Sequence, residues 1–243
     1  MATKLSQFII TTLLVLIILV PLGCIQPGKE VQGPLRNESI SVPLNDAKEV
    51  EAQINMGVGN LNIQGGAEGL MEANFIYNSG SGKPKIDYDV NNGIRFLLVE
   101  QPNMKVISNN GTFKNDWNLF LNSHIPMGLS IVSGVGINNL QLGGLNLDGL
   151  TVNSGTGNIT VDLVGLNKDL NATINAEIGD LVLNLPSQAG VKVHVQKGVG
   201  LIEAEKGFRS NRNVFVNEAY GFSNATIDID VQSGIGNVML NLE

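Results

Sequence analysis

Short runs in which apolar and polar residues alternate occupy most of the chain, and pairs of glycines separate them. "NITVDL" places Ile159, Val161 and Leu163 on one face of a strand, because side chains of a strand alternate between its two faces. "LTVNS", "ATINA", "VKVHVQ" and "TIDIDVQ" alternate in the same way. No long amphipathic helical pattern is found. The pattern therefore predicts an all-β fold.

The glycine pairs recur at a nearly fixed spacing. Aligned on the second glycine of each site, six copies are separated by 77, 21, 22, 21 and 36 residues. A period near 21 residues predicts a single-chain β-solenoid resembling a parallel β-helix, with a two-sheet β-sandwich as the alternative. The predicted glycine corners are Gly57, Gly59, Gly134, Gly136, Gly155, Gly157, Gly179, Gly198, Gly200, Gly234 and Gly236.

Glycine suits such a corner because it reaches positive φ at little cost and lets neighbouring main chains approach closely. The solenoid predicts that Gly136, Gly157, Gly179 and Gly200 lie in one file, and that the corner at Gly236 is the last of the stack. Glu177 replaces the first glycine of its site, so we expect that turn to differ slightly.

An asparagine or aspartate often follows the second glycine. Asn60, Asn158, Asp180 and Asn237 hold this position. Stacked about 4.8 Å apart, these side chains would form a polar ladder along one corner. The alternative is that they are turn residues facing solvent.

The two longer intervals predict additional elements. The interval of 77 residues contains strand-like segments at 67–78 and 93–101, and two more around Pro126 that follow the single tryptophan, Trp117. The last interval carries about 15 extra residues, roughly 206–222. Insertions between repeats usually form loops on one face, often the binding face.

Two classes of ligand are excluded by sequence. A dinucleotide loop requires Gly-x-Gly-x-x-Gly at the start of a helix, whereas each glycine pair here leads into a strand. The net charge is −7, and no cluster of Lys and Arg supplies the positive surface that nucleic acids require. We therefore expect neither nucleotide nor nucleic-acid binding.

The N-terminus is typical of exported proteins. Residues 1–23 hold one lysine, a long apolar run and "PLG", and Cys24, the single cysteine of the chain, follows. This arrangement resembles a lipobox, except that Pro21 stands where Leu is usual, and it predicts that Cys24 carries a diacylglyceryl group. An uncleaved N-terminal anchor is the alternative. Residues 24–38, with glycines and prolines, are predicted to be a flexible tether.

From here the order of motifs resembles a known family. "VEAQINMGVGNLNIQGGAEGLMEANFIYN" at 50–78 is similar to the N-terminal toast-rack domain, and "NDWNLFLNSHIPMGLSIVSGVG" and "LTVNSGTGNITVDL" continue the resemblance over 39–243. We divide this region into an N-terminal part at 39–130 and repeats at 131–243. The resemblance implies a solenoid-like all-β fold without known catalytic residues. Relatives include surface adhesins with a Gly-Ile-Asn motif, similar to "GVGINN", and envelope-stress regulators, whose multi-span membrane region this chain lacks.

Candidate chemistry is sparse. His124 and His194 are 70 residues apart, and Cys24 is assigned to the anchor, so no nucleophile–base pair or transition-metal site is predicted. Asp87 with Asp89, and Asp228 with Asp230, each share a strand face; such a pair could bind Ca²⁺, or simply keep a strand soluble. Glycosidase chemistry requires opposed carboxylates, which spacing alone does not show. We expect no enzymatic activity, cofactor or metal.

Five Asn-x-Ser/Thr sequons are candidate glycosylation sites in an exported chain. They are Asn37, Asn110, Asn158, Asn171 and Asn224. A glycan on Asn158 would compete with the predicted ladder.

The sequence thus predicts a membrane-anchored, extracytoplasmic lipoprotein that acts as a surface interaction or adhesion module. Expected partners are the membrane, through the anchor, and a surface protein or polysaccharide; the oligomeric state stays open. Alternatives are an accessory protein of cell-envelope stress signalling and, ranked lower, a carbohydrate-active enzyme.

The anchor gives a first prediction. Metabolic labelling with a fatty acid should mark the wild-type chain and leave a Cys24→Ala variant unlabelled, because the thiol is the acceptor of the lipid. Equal labelling of both chains, or of neither, would contradict lipidation at Cys24.

Overall fold

Seventeen β-strands form one continuous sheet in the computed structural model, which describes residues 33–91, 94–102 and 113–243. These ranges contain no α-helix and one short 3-10 turn, Gly80–Gly82. The strands are β1 Arg36–Val42, β2 Glu49–Gly65, β3 Met71–Tyr77, β4 Lys85–Asn91, β5 Ile94–Glu100, β6 Asn115–Leu121, β7 Met127–Gln141, β8 Leu147–Thr156, β9 Ile159–Asp162, β10 Leu170–Ile178, β11 Leu181–Leu185, β12 Gly190–Val199, β13 Ile202–Ala204, β14 Phe208–Asn211, β15 Val214–Asn217, β16 Thr226–Ile235 and β17 Val238–Leu242. β1 begins inside the segment assigned to the tether from the sequence.

The sheet folds at the glycine corners into two wings. Wing A comprises, in order of pairing, β4, β5, β2, β7, β8, β10, β16, β12, β15 and β14. Wing B comprises β1, β3, β6, β2, β7, β9, β11, β17 and β13. β2 and β7 run through their corners and belong to both wings. Neighbouring coils pair in parallel, and antiparallel strands are added at the ends. The chain is therefore the β-solenoid that the repeats predict.

The core lies between the inner faces of the two wings. Ile159, Val161 and Leu163 are at most 1% exposed, as the alternation in "NITVDL" predicts. Each such side chain contributes about 1.5–3 kcal/mol when it is removed from water. At the β6 end the Trp117 ring meets Phe75 edge to face, with ring centroids 5.4 Å apart. Asn115, 1% exposed, accepts a hydrogen bond from the Trp117 indole and donates one to the Val58 carbonyl.

The second glycines of the corners lie in one file and bring neighbouring main chains into direct contact. Their φ angles lie between +134° and +149°, a region that L side chains rarely adopt. A Cβ added to Gly157 would overlap the carbonyl oxygen of Gly136, and one added to Gly179 would overlap that of Gly157. β10 and β16 pair in the same register on both sides of Glu177, as β7 and β8 do around Gly134.

The spatial order of the coils differs from their order along the chain. β16 pairs with β10 on one side and with β12 on the other, and β17 likewise lies between β11 and β13. The corner file consequently runs Gly179, Gly236, Gly200. The expectation that the corner at Gly236 ends the stack is wrong: the coil at 226–242 is inserted between two coils that precede it in sequence.

The insertion at 206–222 is not simply a loop on one face. It contains the hairpin β14–β15, which extends wing A beyond β12 in antiparallel pairing. Asn217, 1% exposed, fixes the hairpin: its amide oxygen accepts from the main-chain N–H of Val191, and its amide nitrogen donates to the Ala189 carbonyl. β13 has β17 as its one strand neighbour among the described strands, so wing B ends there in an open edge.

The polar ladder is present across three steps of the stack. The Asn158 amide oxygen accepts from the main-chain N–H of Asp180 at 3.1 Å, and the Asp180 carboxylate accepts from that of Asn237 at 2.9 Å. The Asn237 amide oxygen in turn accepts from the N–H of Leu201 at 3.0 Å. Each of these three side chains therefore satisfies a main-chain donor of the next coil, whereas the Asn60 side chain donates to the Asp116 carboxylate of β6.

The corner file predicts a large effect of one substitution. Gly157→Val should lower the free energy of unfolding by roughly 2–4 kcal/mol, because the side chain meets both a positive φ and the neighbouring main chain. Gly149→Val is the matched control, since a Cβ at Gly149 meets nothing within 4 Å. Denaturant melts that show equal stability for the two variants would contradict a strained corner.

The ladder predicts a difference between two substitutions at one position. Asp180→Ala should lower stability by about 1–2 kcal/mol, because the N–H of Asn237 loses its acceptor. Asp180→Asn retains an acceptor oxygen and should recover most of that loss in the same melts. Equal losses for alanine and asparagine would show that this hydrogen bond does not stabilise the stack.

Candidate functional site

The outer face of wing A carries ion pairs in place of a metal site. Asp228 lies 3.0 Å from Lys192, and Asp230 lies 3.2 Å from His194. The hydrogen bond to Asp228 raises the pKa of Lys192 above its usual value. Asp87, on β4, pairs with Lys85. No group of three or more His, Cys, Asp or Glu side chains in the described residues could hold a metal ion.

The remaining candidate residues are dispersed. Cys24 and Asn110 lie outside the described residues. Asn171 and Asn224 are exposed, Asn158 belongs to the ladder, and Asn37 on β1 accepts a hydrogen bond from Asn74 at 2.8 Å. His124 is exposed, and His194 of β12 contacts Asp230. Within the described residues, the structure does not bring three or more His, Cys, Asp or Glu side chains into one centre.

A concentration of side-chain amides occurs instead on the outer face of wing B. We call this surface the amide face and define it by Asn62 and Gln64 of β2, Asn118 and Phe120 of β6, and Asn139 and Gln141 of β7. Strand pairing aligns them in two rows: Asn118, Asn62 and Asn139 stand side by side, as do Phe120, Gln64 and Gln141. Their positions follow from the inward packing of Leu61, Ile63 and Leu140, which turns the intervening residues outward.

Only some of these amides are engaged within the protein. The Asn62 amide nitrogen donates to the Asn118 amide oxygen at 2.9 Å. Within the described residues, the side chains of Gln64, Asn139 and Gln141 form no hydrogen bond. A primary amide offers two donors and an acceptor oxygen with two lone pairs, so this surface retains many free hydrogen-bonding groups.

Phe120 is the aromatic residue of the amide face, and it separates two troughs. The first, of about 280 Å³, is lined by Asn62, Gln64, Asn118, Asn139 and Gln141 beside Phe120. The second, of about 370 Å³, is lined on the other side of Phe120 by residues of β1 and β3, namely Ser39, Ile40, Ser41, Glu72, Ala73 and Asn74. The Phe120 side chain is half-buried, so part of it is accessible from the outer face of wing B.

β1, which forms the far wall of the second trough, is held by a hydrogen bond between side chains. The Tyr77 hydroxyl donates to the Glu38 carboxylate at 2.8 Å. This hydrogen bond lowers the pKa of Glu38, while burial, followed by the same carboxylate, raises the pKa of Tyr77. Lys83 lies 3.3 Å from the other side of Glu38.

The amide face was not predicted from the sequence, although a signal was available. Asn62 and Asn139 both stand three residues after a corner glycine, and Gln64 and Gln141 both stand five residues after it. Equal offsets in two repeats place equal residues side by side. Phe120 gives no such signal, because no glycine pair precedes β6.

The corner itself carries a row of exposed apolar residues. Ile178, Ile235 and Val199 are neighbours across the stack and are between 48% and 68% exposed. Thr156 separates them from Val135, which is 50% exposed. They occupy the middle position of the Gly-x-Gly sites or its equivalent. Exposed apolar side chains in a continuous row are typical of contact surfaces.

These features define a class: a β-solenoid with flat outer faces, an amide-rich groove system and, in the part described, no clustered catalytic groups. The same part contains no helix long and apolar enough to span a bilayer. The family model for the N-terminal domain of toast_rack, DUF2154, matches residues 31–184. The chain therefore belongs to the toast-rack family, as its motifs indicate.

Solved structures show where similar folds occur. A Clostridium sporogenes protein, provisionally described as a cell adhesion protein, is 31% identical; the match covers 86% of this chain and all of that one, with a TM-score of 0.78. A Parabacteroides distasonis protein, provisionally described as an adhesin, is 13% identical; the match covers 87% of this chain and 98% of that one, but its TM-score of 0.32 is low. No curated protein matches the sequence.

Proposed function

We propose that the chain is a non-enzymatic adhesion module outside the cytoplasmic membrane, tethered to the membrane through Cys24 and binding its partner through the amide face. The observation that carries the proposal is the amide face itself. It exposes fixed but unoccupied hydrogen-bonding groups on a rigid sheet, which suits non-covalent recognition better than bond-making chemistry.

The Clostridium sporogenes relative supports an adhesive role. Its full length is matched by this chain, so the likeness extends over the whole folded unit and is not confined to one motif. Its provisional description as a cell adhesion protein is consistent with a surface module.

Charge and anchoring support the extracytoplasmic placement. β1 begins at Arg36, twelve positions after Cys24, so at about 3.3 Å per residue the predicted tether can reach at most roughly 40 Å. A tether of that length keeps the solenoid near the bilayer yet free to orient its faces. The net charge of −7 gives no attraction to anionic lipid surfaces, so the anchor would supply the membrane attachment.

Retention on cells tests the adhesive role. Liposomes that carry the purified full chain should be retained on whole bacterial cells above protein-free liposomes, because the module presents its face outward from the anchor. The double variant Asn139→Ala, Gln141→Ala should reduce retention at least several-fold, since it removes amides without breaking any internal hydrogen bond. Gln196→Ala, which removes an exposed amide of β12 on wing A, is the control.

Two results would overturn the proposal. Retention no better than that of protein-free liposomes on any cell type would refute adhesion. Unchanged retention by the double variant would show that the amide face does not mediate adhesion.

A further inference from the structure

We infer that the amide face is a polysaccharide-binding site for neutral sugar chains, with Phe120 as a stacking platform between the two troughs. This inference rests on the proposed adhesion function and specifies its ligand. It is distinct from the carbohydrate-active enzyme considered from the sequence, because it involves no bond cleavage.

The hydrogen-bonding groups match hydroxyls better than they match other ligands. Each sugar hydroxyl both donates and accepts, and each free amide of Gln64, Asn139 and Gln141 also does both. The hydrogen bond from Asn62 to Asn118 orients two further amides and leaves other donor and acceptor sites of both free for a ligand. A ligand that only donates or only accepts would use half of what this surface offers.

Phe120 supplies the apolar contact that a sugar ring requires. A pyranose has a face of C–H groups, and an aromatic ring offers a flat apolar surface with a negative potential over its face. Phe120 lies on β6, paired between Glu72 of β3 and Gln64 of β2. Because β6 is paired on both sides, binding requires no ordering of the main chain that carries the ring.

The charge of the troughs selects neutral chains. The side chains that line the first trough include no ionisable group, and Glu72 is the ionisable residue lining the second. Neither trough is lined by Lys or Arg, so a uronate or sulfate would meet no cation and would be repelled by Glu72 and by a chain of net charge −7. Acidic glycans are therefore disfavoured.

The geometry suits an extended sugar chain that binds through its internal sugars and not through its end. The two troughs cross β7, β2, β6, β3 and β1, and four spacings of about 4.8 Å give a length of roughly 19 Å. They lie on one face on either side of Phe120, so consecutive sugars can occupy both while a middle ring rests on the phenyl group.

Binding to insoluble polysaccharides tests the inference. The full chain in detergent micelles should be retained by cellulose or mannan, whose sugars carry vicinal diols, and should pass through polygalacturonate. Phe120→Ala should weaken retention about tenfold or more, equivalent to roughly 1.4 kcal/mol. Phe96→Ala is the matched control, because Phe96 is an exposed phenylalanine on the outer face of wing A and should leave retention unchanged.

A second variant guards against misfolding, since Phe120 is half-buried. Gln141→Ala removes an exposed amide that has no internal hydrogen bond, so it should weaken retention several-fold while thermal melts match the wild type. Full retention by either Phe120→Ala or Gln141→Ala would overturn the site. Tighter binding to polygalacturonate than to every neutral polymer would overturn the ligand class.

Treated cells separate this inference from the adhesion proposal. Periodate cleaves the vicinal diols of sugars, so it should abolish retention on cells, whereas protease treatment of the cells should not. Retention that survives periodate but is lost after protease treatment would overturn the saccharide and leave adhesion to a protein standing. Loss of retention on untreated cells would overturn the adhesion proposal, which the polymer assay does not test.

Discussion

Contact between the main chains of successive coils at the glycine corners is the constraint on which the whole molecule depends. The second glycines bring each carbonyl against the next glycine, a separation that no side chain permits. Because the coils stack at the corner, their strands pair in the same register in both wings, and the apolar residues of all coils meet in one core. The ladder of Asn158, Asp180 and Asn237 binds the next main-chain donors beside the same file, so side chains reinforce what the glycines allow.

The period and the alternation were enough to predict the solenoid and the inward residues, because both follow from local rules of strand geometry. Which coil lies beside which was beyond those rules. β16 pairs with both β10 and β12 after the chain has formed the hairpin β14–β15, and a 21-residue period does not indicate that arrangement. The amide face was missed for a related reason: polar residues at outward positions look like ordinary solvation until strand pairing sets them side by side.

Asparagine serves two purposes in this fold. At the corner the asparagine oxygen accepts a hydrogen bond from a main-chain N–H, so it is not available to a ligand. On the amide face Asn139 keeps its hydrogen-bonding groups because strand pairing already satisfies the main chain around it. The residue type thus does not determine whether an asparagine stabilises the fold or is available to a ligand. What determines it is whether the adjacent main chain already has a hydrogen-bond partner. This distinction explains why an asparagine-rich sequence can be both internally stabilised and open to ligands.

The inserted coil affects how the stack can form and fray. β16 and β17 are made after β12 and β13 yet separate them from β10 and β11, so the coils cannot be laid down one by one in the order of synthesis. The segment at 190–204 can pair with its neighbours in the stack only after the segment at 226–242 has been synthesised. β16 and β17 are flanked on both sides, whereas β13 and the hairpin β14–β15 lie at the ends of their wings. Local opening in this part of the stack is therefore expected to begin at β13 and the hairpin.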